Sequence, residues 1–221
     1  MATIAIIGAG PGLGAAVARR FGREGFSLAL ISRNQDRLDA LASDLESAGH
    51  TAAGFASDVR DPASLQSALD QAADRLGPIE VLQYSPVPHK DFMHSVLDTS
   101  STDLRGALEF SVLGPFTAVQ HVLPGMRSQG HGTILFVNGG TAVAPKPDYA
   151  GTSIAFAGEG AYAQILHEAL ADTGIHVAQL IVPGAIDPRS THSSPDAIAD
   201  TLYALHTARA GFRHFVQETD S

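Results

Sequence analysis

Short runs of aliphatic and β-branched residues alternate along the whole chain with longer stretches whose apolar positions recur every three or four residues. That alternation predicts a parallel sheet with helices on both faces. Seven strands are expected, at Thr3–Ile7, Ser27–Ile31, Thr51–Ala56, Ile79–Tyr84, Thr133–Val137, His176–Val182 and Arg213–Gln217. Most are unbroken apolar runs, as strands buried on both faces require. The last, Arg-His-Phe-Val-Gln, is the exception and reads as an edge strand.

The intervening segments carry helix boundaries that agree with their periodicity. Asn34 is placed to cap a helix with Leu38, Leu41, Ala42, Leu45 and Ala48 on one face, ended by Gly49. Asp61 followed by Pro62 opens a second helix, with Leu65, Leu69, Ala72 and Leu76 inward and Gly77 beyond its end. Ser194-Pro195-Asp196 repeats that grammar before Ile198, Leu202 and Leu205. A helical stretch from about Thr102 to Met126 contains Gly114-Pro115, where a kink or break is expected because proline has no N–H to donate. No repeat, low-complexity run or linker interrupts this order, so residues 1–221 are expected to form a single domain.

Composition narrows the function classes. With 44% hydrophobic and 17% charged residues the chain is globular, not disordered. The absence of cysteine excludes a disulfide scaffold, a cysteine nucleophile and thiolate metal sites, and no His-Glu-x-x-His spacing supports metal catalysis. Fourteen Lys plus Arg against 23 Asp plus Glu give a formal charge of -9, which argues against nucleic-acid and anionic-membrane partners. Only two of the 14 cations are lysines, Lys90 and Lys146. The N-terminus resembles no signal peptide, and the uncharged stretch Ala2–Ala18 is too broken by glycine and Pro11 to span a membrane, so a cytoplasmic protein is expected.

The first strand runs into Gly8-Ala9-Gly10-Pro11-Gly12-Leu13-Gly14 and then a helix with Val17 and Phe21 on one face. A strand, a glycine-rich turn and a helix N-terminus aim backbone N–H groups and the positive end of the helix dipole at one point, where a pyrophosphate can bind. A strict Gly-x-Gly-x-x-Gly fails here. The relaxed form Gly10, Gly12, Ala15 fits, as does Gly8-x-x-x-Gly12-x-Gly14, and no Walker lysine follows. Nineteen residues after Gly14, where a ribose-binding carboxylate would favour NAD, the chain has Ser32-Arg33-Asn34. An arginine there pairs with a 2′-phosphate, so the cofactor expected is NADP(H) in preference to NAD(H).

The Gly8-x-x-x-Gly12-x-Gly14 loop resembles that of the short-chain dehydrogenase/reductase family, and further matches follow in family order along nearly the whole chain. They are Asp58-Val59 after the third strand, Gly77-Pro78-Ile79-Glu80-Val81-Leu82 leading into the fourth, Phe110-Ser111-Val112-Leu113-Gly114-Pro115-Phe116 in the central helix, Gly132-Thr133-Ile134-Leu135-Phe136, and Pro183-Gly184-Ala185-Ile186-Asp187. The resemblance implies a doubly wound, Rossmann-type three-layer α/β sandwich with a seven-stranded, mostly parallel sheet. It also implies Asp58 and Val59 at the adenine, Tyr84, Ser85 and Pro86 along the cofactor after the fourth strand, and Pro183, Gly184 and Ile186 beside the nicotinamide. A homodimer or homotetramer through the central helix and the helix from Ser153 to Leu170 is implied as well.

The departures fall on the catalytic residues. Tyr84-Ser85-Pro86-Val87 replaces the family's Asn-Asn-Ala-Gly, Ser111 stands at the proton-relay asparagine, and the catalytic serine is replaced by Gly139 or a neighbour within Val137–Thr141. Tyr-x-x-x-Lys is absent. Counted back from Gly174-Ile175-His176-Val177, its positions become Thr152 and Phe156, or Tyr149 and Ser153 with a three-residue shift. Without the lysine a free tyrosine is ~0.1% ionised at pH 7, poor for alcohol oxidation but less damaging for reduction, where the group donates a proton. Tyr149, Asn138 and His89 are the candidate catalytic groups, with Thr141 and Lys146 as possible aids. Three classes remain open: an atypical NADP(H)-dependent carbonyl reductase acting on a small carbonyl or alcohol, an NADP(H)-binding regulatory or interaction protein, and a non-redox isomerase or lyase. The substrate loop, about residues 185–194, is short, so an open site is expected.

Overall fold

The computed structural model describes residues 2–216. Its strands are β1 (Thr3–Ile7), β2 (Ser27–Ser32), β3 (Ala52–Ala56), β4 (Ile79–Tyr84), β5 (Gly132–Gly139), β6 (Ile175–Val182) and β7 (Arg213–Phe215). They form one seven-stranded sheet in the order β3-β2-β1-β4-β5-β6-β7. Every pairing is parallel. The edge position expected for the last strand is the one β7 holds, and Gln217, its expected final residue, lies outside the described residues.

The helices are α1 (Leu13–Arg23), α2 (Gln35–Ser47), α3 (Pro62–Leu76), α4 (Ser101–Leu108), α5 (Gly114–Gln129), α6 (Ala150–Ala169) and α7 (Pro195–Ala208). Successive side chains of a strand point to opposite faces, so each buried strand feeds two cores. Ile4 and Ile6 of β1 join Val17, Phe21, Leu38 and Leu202 from α1, α2 and α7 on one face. Ala5 and Ile7 join Leu65, Leu69, Val119 and Ala163 from α3, α5 and α6 on the other. The helix starts are where side-chain chemistry sets them: Asn34 Oδ1 accepts from Arg37 N at 2.9 Å, Asp61 Oδ1 from Ala63 N and Ser64 N at 3.1 Å, and Ser194 Oγ from Ala197 N at 3.3 Å.

The central helix departs from the sequence expectation in one detail. The irregularity falls just before Gly114-Pro115, as a π-helical turn over Glu109–Leu113. Pro115 has no N–H, and the Gly114 N–H reaches back five residues to the Glu109 carbonyl, so the Phe110 carbonyl loses its helical donor. The buried Tyr84 hydroxyl donates to it from the end of β4. A Cβ at position 114 would stand 2.6 Å from that hydroxyl, which explains the glycine.

Strand order reverses between β1 and β4: β2 and β3 extend the sheet to one side, β4 to β7 to the other. The crevice this leaves at the carboxyl ends of the strands is where open α/β sheets bind ligands.

Candidate active site

Two clefts open at that edge, on either side of the turn between β1 and α1. The first, about 680 Å³, is lined by Ala9, Gly10, Pro11, Ser32, Arg33, Asn34 and Arg37, with Ala40, Leu41 and Asp44 of α2. The second, about 640 Å³, is bounded by Leu13, Ser85, Pro86, Asn138, Thr141, Lys146, Tyr149, Phe156, Pro183, Gly184 and Ile186 among others. Together they hold most of the residues the sequence singles out for a cofactor.

The turn between them has the geometry a pyrophosphate needs. Gly8 has φ +99°, and a Cβ there would lie 2.6 Å from the Pro86 nitrogen; a Cβ on Gly14 would lie 2.7 Å from Ala9 Cα. These two glycines hold the turn against its neighbours. A Cβ on Gly12 would meet nothing within 4 Å and one on Gly10 only the Gly8 carbonyl at 4.0 Å, so the space above them is free for a ligand to approach the backbone. No side chain caps α1 and its first turn holds no acid, so the N-terminus keeps its affinity for an anion.

Not every residue with an expected role faces a cleft. Tyr84 is 2% exposed and turned into the core, and Val59 is buried beside Gly114. Asp58 is engaged by Arg60, with Nη2–Oδ2 3.0 Å and Nε–Oδ1 3.3 Å, and this pairing holds its carboxyl below the usual range. His89 is separated from the other catalytic candidates: it lines a hollow of about 240 Å³ with Arg33 and Arg60, and its Nδ1 lies 3.0 Å from Asp91 Oδ2.

Tyr149 and Asn138 do meet in the second cleft, Tyr149 at the mouth with 41% exposure and Asn138 in the floor with 2%. Thr141 is beside them on the single turn after β5. From α6 the wall is Thr152 and Phe156, one helical turn apart. Thr152 turns its hydroxyl to the Phe92 carbonyl at 3.2 Å, and Phe156 packs beside Gly139. Ser153 points elsewhere, accepting from Lys146 N at 3.1 Å and donating to Lys146 O at 3.3 Å. Both residues of the ungapped count, Thr152 and Phe156, line the cleft, whereas of the shifted pair only Tyr149 does.

A buried polar chain beneath the cleft has no sequence signal. Gln179 Nε2 donates to Asn138 Oδ1 at 2.8 Å, and Arg213 Nε donates to Gln179 Oε1 at 2.8 Å. Glu159 of α6 is also buried, at 1% exposure, and burial pushes its carboxyl well above the carboxylate range; its Oε1 and the Asn138 Nδ2 have no hydrogen-bond partner among the described residues. Among the described residues no group of His, Asp or Glu is arranged to hold a metal, and no helix is long and apolar enough to cross a membrane.

A glycine turn at the switch point of a doubly wound parallel sheet, with an arginine after β2, defines a Rossmann-type α/β protein of the dinucleotide-binding class. The chain belongs to the short-chain dehydrogenase family, whose profile matches residues 2–199. It is 31% identical over 161 residues to the oxidoreductase UcpA of Escherichia coli K12, covering 73% of this chain and 57% of UcpA, so it spans little more than half the length of that relative. Its fold matches a short-chain dehydrogenase from Rhodopseudomonas palustris with a TM-score of 0.87 and 25% identity, over 99% of both chains. L-sorbose reductase from Gluconobacter frateurii, complexed with NADPH and L-sorbose, matches with a TM-score of 0.87 and 19% identity, over 98% of this chain and 94% of that one.

Proposed function

We propose that the chain is an NADP(H)-dependent oxidoreductase that reduces a small carbonyl compound, with a proton donor other than the family's tyrosine. The observation that carries the reading is the pair of clefts flanking the glycine turn, one lined by Arg33 and the other by Asn138 and Tyr149. The match to UcpA supports the oxidoreductase class. A bound nicotinamide cofactor supplies the hydride. Arg33 and Ser32 hold its 2′-phosphate, the turn Gly10–Gly12 its pyrophosphate, and Pro183, Gly184 and Ile186 the wall beside the ring. Asn138 orients the carbonyl oxygen from the floor, and Tyr149 donates the proton from the mouth.

A second reading, cofactor binding without turnover, is favoured by the Thr152 and Phe156 wall, which offers no ammonium and no free hydroxyl. Single-turnover stopped flow separates the two. Loss of NADPH absorbance on mixing with aldehydes and ketones, slowed about a hundredfold by Tyr149→Phe, is the result expected of a general acid. Tight NADPH binding with no oxidation by any carbonyl in the panel would establish the second reading instead.

We also propose a homodimer or homotetramer through α5 and α6, where Phe116, Ile154 and Ile165 are 46%, 46% and 65% exposed. Light scattering that returned a monomer would remove that assembly.

A further inference from the structure

The second cleft is apolar apart from a few polar groups at its floor and mouth. Its apolar lining includes Val143, Ile186 and Phe215, which are 41%, 40% and 55% exposed, and its single charged lining residue is Lys146. That is notable in a chain with a formal charge of -9 and two lysines.

The lysine is held there by construction. Its main chain is tied to α6 by the two Ser153 hydrogen bonds, its carbonyl also accepts from Tyr149 N at 3.1 Å, and Pro145 and Pro147 restrict the backbone on both sides. Ser153 is 4% exposed, so this tie is partly buried. Among the described residues Lys146 takes part in no ion pair. Asp148, two residues along, does not line the cleft, and Asp187, next to the lining residue Ile186, is occupied by Arg189 through contacts of 2.9, 3.2 and 3.2 Å. A cation with no acid competing for it, at the rim of an apolar cleft, suits a ligand with an apolar body and an anionic end.

We propose that this cleft selects apolar carbonyl compounds bearing a carboxylate, the body packed against Val143, Ile186 and Phe215 and the carboxylate on Lys146. Apolar burial supplies affinity but no direction. The ion pair at the rim supplies direction, leaving the carbonyl end toward Asn138 and Thr141. Because the lysine is exposed, the carboxylate keeps part of its hydration and escapes the full cost of burying a charge. The carbonyl part of this specificity rests on the oxidoreductase reading above; the carboxylate part does not.

The test is calorimetric titration of 3-benzoylpropanoate and its neutral methyl ester into the protein, alone and saturated with NADPH, for the wild type, Lys146→Gln and Lys146→Arg. The carboxylate should bind the wild type roughly threefold to fivefold more tightly than the ester at low salt, the range an exposed ion pair supports. That preference should vanish in Lys146→Gln, persist in Lys146→Arg, and fade at about 1 M salt, where the screening length is ~3 Å. An ester that binds the wild type as well as the acid, a preference unchanged in Lys146→Gln, or no binding of either probe at millimolar concentration would overturn the proposal. Failure of NADPH itself to bind would instead refute the cofactor reading, and the titrations without NADPH would still decide this one.

Discussion

Glu159 is a carboxylic acid enclosed by protein one helical turn beyond Phe156, and its protonation state sets a sign that can be measured. Burial raises its folded-state pKa, so the native protein holds a proton that the unfolded chain releases near its ordinary value of ~4.3. Its cost to stability is absent below that value and grows as pH rises toward the folded-state pKa, by up to ~1.4 kcal/mol per pH unit. Urea titrations should therefore show Glu159→Gln more stable than wild type at neutral pH, with the gain shrinking toward pH ~4.3. A gain independent of pH would mean the carboxyl is not held neutral. Tyr84→Phe should cost about 1–3 kcal/mol in the same assay by leaving the Phe110 carbonyl buried without a donor. Arg33 and the glycine turn were legible in the sequence because their chemistry is local to one strand and one turn. Asn138, Gln179 and Arg213 were not legible as a network, since the partners are 41 and 34 residues apart along the chain and meet only through strand register.

Elements followed the same division. Strand positions and helix starts could be read directly, because apolar runs and side-chain caps act within a few residues; Asp61→Ala should accordingly cost about 1 kcal/mol in thermal unfolding, and a smaller change than a few tenths would show the cap to be idle. The π turn at Glu109–Leu113 was visible only as a proline. What the proline does depends on Tyr84, which arrives from another element to satisfy the carbonyl that Pro115 cannot serve. The two possible registers of the tyrosine and lysine positions likewise remained open in the sequence. In the structure α6 turns Thr152 and Phe156 to the cleft and Ser153 to the Lys146 backbone, while Tyr149, just before α6, also lines the cleft.

At the scale of the molecule, one sheet carries both cores, so we propose that residues 1–221 unfold as a single cooperative unit, which calorimetry would show as one transition. Acid should weaken it through His176. Burial first, then Arg209 and the neighbouring histidines, lowers its pKa from 6.5 to about 4, so the unfolded chain takes up a proton that the native state refuses. The stability present above pH 6.5 is lost as pH falls through the window down to about 4, by on the order of 3 kcal/mol, and His176→Asn should flatten that slope. The role proposed for the β1 turn and Arg33 is to hold the cofactor. Its most direct test is calorimetric titration of the wild type and Arg33→Ala with NADPH and NADH. The wild type should bind NADPH roughly tenfold or more tightly than NADH, the worth of a charge-assisted hydrogen bond to the 2′-phosphate, and Arg33→Ala should abolish the preference while still binding both. A wild type that binds neither nucleotide, or prefers NADH, would contradict it.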